Sequence, residues 1–112
     1  MKIIRDKISK EELVDIAKNQ FGNLMKAVVD IEREIMAIGG ELHADEEALL
    51  IQDGSKQEDL WGINLYPEKS ADEWIEFDSM INVRPSQNNL SRGVEKQGIR
   101  DKIRGIVENL IV

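Results

Sequence analysis

The stretch GGELHADEE, Gly39–Glu47, holds the chain's single histidine, His43, two residues before Asp45 and among four carboxylates. An imidazole ordinarily titrates near pH 6.5, about where proton transfer at neutral pH needs it. His43 and Asp45 therefore form a candidate catalytic pair. With Glu46 they also form a candidate ligand set for a divalent metal, for which magnesium or manganese suits the carboxylates better than zinc. The chain has no cysteine, which removes thiolate zinc sites and cysteine nucleophiles. The spacing sets a geometric condition. Side chains two residues apart share a face of an extended segment but diverge by about 200° on a helix, so His43 and Asp45 converge only at a strand end or in a loop. A purely architectural explanation competes: Asp45 is a good N-cap, and Glu46 and Glu47 suit the positive end of a helix that starts there, by about 0.3–1 kcal/mol.

A second set of polar residues lies late in the chain. Leu60–Tyr66 alternates so that Trp61, Ile63 and Leu65 share one face and Asn64 and Tyr66 the other. Trp74–Val83 alternates as well, predicting Ile75, Phe77, Ile81 and Val83 toward the core and Glu76, Asp78, Met80, Asn82 and Arg84 opposite. Paired strands would bring Asn64, Tyr66, Asn82 and Arg84 to one ligand-binding face. Arg84 is suited to clamp a carboxylate or phosphate, assisted by Ser86 and Gln87 in the loop that Pro85 opens. Gly54-Ser55-Lys56-Gln57 is a second candidate anion turn, through backbone amides and Lys56. The competing explanations are a solvent-facing sheet side and a simple helix stop. No Walker motif and no GxGxxG is present, so nucleotide binding has no anchor.

The elements that must position these residues follow from periodicity. Lys2–Arg5 reads as a short edge strand. Ser9 and Glu12 have capping-box spacing, and Leu13, Ile16, Ala17 and Phe21 then predict a helix over about 10–20, closed by Gly22-Asn23. Leu24–Gly40 fits either a helix, through Leu24, Val28, Ile31, Ile35 and Ile38, or two strands joined by a turn within Asp30–Glu34; the hairpin is favoured. A short helix from Asp45 should stop at Asp53-Gly54, and Ile99, Ile103, Ile106, Val107 and Leu110 predict a terminal amphipathic helix. The expected fold is a single α+β domain over 1–112: a small, mostly antiparallel sheet of two hairpins packed against two amphipathic helices plus a short one.

Composition narrows the function classes. With 112 residues, 41 % hydrophobic and 33 % charged, the chain suits one soluble globular domain. No apolar run reaches the roughly 20 residues that cross a bilayer, and Met1–Ile8 is too polar for a signal, so the expectation is a cytoplasmic protein with no membrane partner. A net charge of -7 opposes binding to nucleic acid and counts against a ribonuclease built on His43 and Arg84.

The segments VVDIEREIMAIGGELHADEEALL, GSKQEDLWGINLYP and SMINVRPSQNN together resemble a small prokaryotic family of unknown function, across nearly the whole chain. The resemblance implies a single domain in a prokaryotic cytoplasm and names no reaction. From the residues, the expected function is a binding or interaction module, a homodimer in its simplest form, whose polar surface takes a small anionic ligand or a partner protein. The alternative is a small hydrolase in which His43 and Asp45, with or without a divalent metal, activate water while Arg84 neutralises developing charge.

Overall fold

The computed structural model describes residues 1–112. Five strands form one antiparallel sheet: β1 (Lys2–Ile4), β2 (Met25–Asp30), β3 (Ile35–Ile38), β4 (Leu60–Leu65) and β5 (Ile75–Glu76), in spatial order β1-β3-β2-β4-β5. Three helices accompany it: α1 (Lys10–Gln20), α2 (His43–Gln52) and α3 (Gln97–Leu110). The α+β class is as expected. Both sheet edges are short, and β1 carries Lys2, paired with Glu12, a combination that blunts strand-to-strand association.

The sheet divides the core in two. Met25, Ala27, Val29, Met36, Ile38, Trp61, Ile63 and Leu65 face α1 and α3 and make the larger core. Val28, Ile35, Ala37 and Leu60 face Leu50 of α2 and make the smaller one. β2 and β3 are thus covered on both faces, so Ala27–Val29 and Ile35–Ile38 read as continuous apolar runs. That is why their periodicity also fits a helix, and why the hairpin is the better reading: the turn at its tip is chemically specified. Asp30 Oδ1 accepts from the backbone N–H groups of Glu32 and Arg33 at 2.9 Å each, and Glu34 adopts a left-handed φ of 58°.

The same aspartate anchors the hairpin to the end of α2. Ser55 Oγ donates to Asp30 Oδ2 at 2.6 Å and accepts from Arg33 Nη1, while Arg33 Nη2 reaches Asp53 and Arg5 pairs with the other Asp53 oxygen. The two arginines hold the Asp53 carboxyl down at about 2.

The second hairpin departs from expectation. β5 is two residues long, and the chain then leaves the sheet at Phe77 to form a strap with 3₁₀ turns at Met80–Asn82 and Pro85–Gln87. Alternation past residue 76 is therefore incidental: Phe77 packs on the larger core, Ile81 on the smaller one, and Val83 is exposed. Gly62 explains the exit. A Cβ there would lie 2.6 Å from both Cβ and Oγ of Ser79, which is buried against the bare strand. Gly62→Ala is expected to cost about 1–3 kcal/mol in urea unfolding, and adding Ser79→Gly should recover part of the loss. An alanine variant as stable as its parent would contradict this seating.

Candidate functional site

The helix that carries His43 begins two residues earlier than Asp45. Leu42 stands at the N-cap without a side-chain bond, His43 is the first helical residue, and Asp45 and Glu46 fall in the first turn. The phase is set by burial: His43, Glu46 and Leu50, spaced i, i+3, i+7, face the sheet. Asp45, on the same helix two residues on, is exposed and not a cap, so the expected cap at Asp45 is corrected to Leu42.

The three candidate metal ligands consequently point to separate surroundings. The His43 ring lies 2.7 Å from the carbonyl of Ile63 through Nε2. A carbonyl only accepts, so Nε2 carries the proton and Nδ1 the lone pair. Asp45 lines a cleft with Gly39, Gly40, Glu41, Ala48, Leu49 and Gln52. Glu46 is wholly buried, and its Oε2 accepts from the Gly40 N–H at 3.0 Å. No group of three or more histidine, aspartate or glutamate side chains converges anywhere on the chain in a way that could hold a metal.

Burial lowers the His43 pKa below 6.5, with the Ile63 carbonyl opposing. The ring should be neutral at pH 7. Because its folded pKa is depressed, its contribution to stability is present above pH 6.5 and falls away below it. NMR titration of the imidazole C–H signals should place the midpoint below 6.5; a midpoint at or above that value would contradict the burial.

Glu46 is shifted more strongly. Desolvation raises its carboxyl from 4.5 to about 9, against the opposing pull of the Gly40 N–H and Lys26. Its Oε1 has no hydrogen-bond partner. Gly40 must be glycine for this packing, since a Cβ there would approach Glu46 Cγ to 2.7 Å.

The expected ligand-binding face on the sheet is not formed as a unit. Asn64 and Tyr66 do share a corner: Asn64 Nδ2 donates to Glu76 Oε1 at 2.9 Å and to the Asp78 carbonyl at 3.2 Å, and the Tyr66 hydroxyl reaches the same Glu76 oxygen at 3.4 Å. Asn82 does not join them. It is buried in the strap, where its amide takes the place of a missing strand: Oδ1 accepts from Gly62 N–H at 2.8 Å and Nδ2 donates to the Gly62 carbonyl at 2.9 Å. The Asn82 amide also donates to the Arg92 carbonyl at 3.0 Å.

Arg84 turns the other way, toward the Gln57–Asp59 turn. It donates to the Gln57 carbonyl at 2.5 Å and to the Leu60 carbonyl, with its guanidinium 4.2 Å from the Trp61 ring centroid. Arg84 and Asn89 exchange backbone bonds at 2.8 and 3.1 Å, closing the loop between them, and Asn88 adopts a left-handed φ of 58°. Asn89 anchors this loop from beneath, donating to the carbonyls of Asn82, Ser91 and Gly93. The RPSQNN segment is thus an ordered loop carried on buried amides.

This loop faces the turn after α2. Lys56, Gln57 and Glu58 from one side and Arg84, Ser86 and Gln87 from the other line a cleft of about 590 Å³ that has no hydrophobic residue in its wall. Gln87 Nε2 bridges the two sides by donating to the Glu58 carbonyl at 3.0 Å. Two separate expectations from the sequence, the Lys56 turn and the Arg84–Gln87 loop, therefore meet in one cleft. His43, Asp45 and Glu46 lie outside it. Sequence reasoning missed Glu58, a charged residue among many, whose place opposite Arg84 depends on the fold. Burial lowers the Arg84 pKa, while Glu47 and Asp59 favour its charge from beyond ion-pair distance.

No helix is long and apolar enough to cross a membrane. No curated protein and no solved structure matches the chain. The family model "Protein of unknown function (DUF5674)" matches residues 2–110, nearly the whole fold including both sides of the cleft, and the chain belongs to that family.

Proposed function

We propose that the protein is a binding module for a small anion, held between the Lys56 turn and the Arg84–Gln87 loop. The observation that carries this reading is Arg84. Charges withdrawn from water are ordinarily paired. The Arg84 guanidinium is half-buried against Trp61, meets two backbone carbonyls and has no carboxylate within ion-pair distance. It borders a polar cleft that also holds Lys56. An anion there would neutralise the arginine and accept from Lys56 and the Ser86 hydroxyl.

Size discrimination follows from the charge distribution. The chain as a whole carries -7, which repels long polyanions, whereas a small anion within the cleft is screened from distant carboxylates beyond about 8–10 Å. Titrating ¹⁵N-labelled protein with inorganic phosphate at an ionic strength of about 0.15 M should shift the backbone amides of Lys56–Glu58 and Ser86–Asn88. Lys56→Ala, a change at an exposed residue, should weaken the response about five- to tenfold, for about 1 kcal/mol of lost interaction. No shift in these amides with phosphate or any other small anion, or the same affinity in the variant, would overturn the reading.

A further inference from the structure

We infer that the ligand of this cleft is a small polyhydroxylated monoanion, of the chemistry of a sugar acid; the inference rests on the anion-binding reading above. Three features of the wall select this class. Its charged groups are Lys56 and Arg84 against Glu58, one positive charge in excess, so a single anionic group is neutralised while a second meets the Glu58 carboxylate.

The wall also has no hydrophobic residue, unlike the predominantly apolar lining usual for small-molecule pockets. A ligand with a hydrocarbon body would strip water from Gln57, Ser86 and Gln87 without replacing its hydrogen bonds, whereas hydroxyls both donate and accept. Finally, the polar groups on the two sides are mixed in character. The Gln87 amide gives one N–H to the Glu58 carbonyl, which leaves its second N–H as a donor and its oxygen as an acceptor, and the Glu58 carboxylate is a further acceptor. Ser86 and Lys56 supply donors. Acceptors that face the same cleft as the cations suit hydroxyl groups attached close to the anionic group. At about 590 Å³ the cleft lies within the range of small-molecule sites.

The test compares four probes by ¹⁵N NMR titration of the intact protein: gluconate, hexanoate, sorbitol and inorganic phosphate. Gluconate should shift the Lys56–Glu58 and Ser86–Asn88 amides with an affinity at least about tenfold above hexanoate and phosphate, and sorbitol should be weaker still. Gln87→Ala, which removes an acceptor, should reduce gluconate affinity several-fold more than phosphate affinity, whereas Glu58→Gln, which keeps an acceptor but removes the opposing charge, should raise phosphate affinity and narrow the preference for gluconate. Phosphate binding as tightly as gluconate, or hexanoate matching it, overturns the ligand class and leaves the anion site standing. Absence of shifts with every anion overturns both.

Discussion

Between pH 7 and pH 9 the protein is expected to lose about 2 kcal/mol of unfolding free energy, at about 1.4 kcal/mol per pH unit near pH 7 and about half that near pH 9, because Glu46 stays protonated in the fold until the pH nears 9 and ionises freely when unfolded. Its folded pKa is raised, from 4.5 to about 9. The unfolded chain therefore holds fewer protons than the native one throughout that window, and stability falls as pH rises. The contribution is fully present below 4.5 and is gone at pH values above the folded pKa. His43 acts in the opposite sense, but only below pH 6.5, so the alkaline side of the profile isolates Glu46.

The matching variant is Glu46→Gln. The amide keeps an oxygen to accept the Gly40 N–H and occupies nearly the same volume, but cannot ionise. Urea unfolding should show its midpoint nearly flat from pH 7 to 9, with the variant more stable than its parent at pH 9. A parent midpoint that does not move across this range, or a variant with the same slope, would show that Glu46 is not the buried acid described.

Asn82→Ala is the second large effect. Removing this amide leaves the Gly62 N–H, the Gly62 carbonyl and one bond of the Arg92 carbonyl without their partner. Buried backbone groups left unpaired cost about 1–3 kcal/mol each, so a loss on the order of 3–5 kcal/mol is expected, enough to threaten folding of a domain this size. Hydrogen exchange keeps the prediction readable in a milder variant. In Asn82→Ser the Gly62 amide should lose protection while the amides shared by β2 and β3 keep theirs. Retained Gly62 protection would mean that the side chain is not substituting for a strand.

These two residues also mark where sequence reading stops. Glu46 sits in a run of carboxylates and reads as a helix-dipole residue or a metal ligand, because its composition and spacing are those of a solvated first turn. It is the register of α2 against the sheet, starting at His43, that turns it inward. Asn82 falls at an outward position of an alternating segment. The alternation ends in space at Glu76 because Gly62 admits Ser79 onto the strand, a contact between residues that are distant in the chain.

Local physical chemistry alone determined α1 with its Ser9 cap, the Asp30–Glu34 turn, the stop at Asp53-Gly54, β4 with Trp61, Ile63 and Leu65 on one face, and the apolar stripe of α3. Each depends on neighbours within a few residues, where capping, turn chemistry and periodicity act. The exclusion of cysteine chemistry is likewise complete in the composition. Tertiary structure decided which polar residues are architecture and which face a cleft. It buried His43, Glu46 and Asn82, separated Arg84 from Asn64, and set Arg84 beside Lys56. Side-chain types specify what a group can do, but desolvation and partnership depend on what the rest of the chain brings against it.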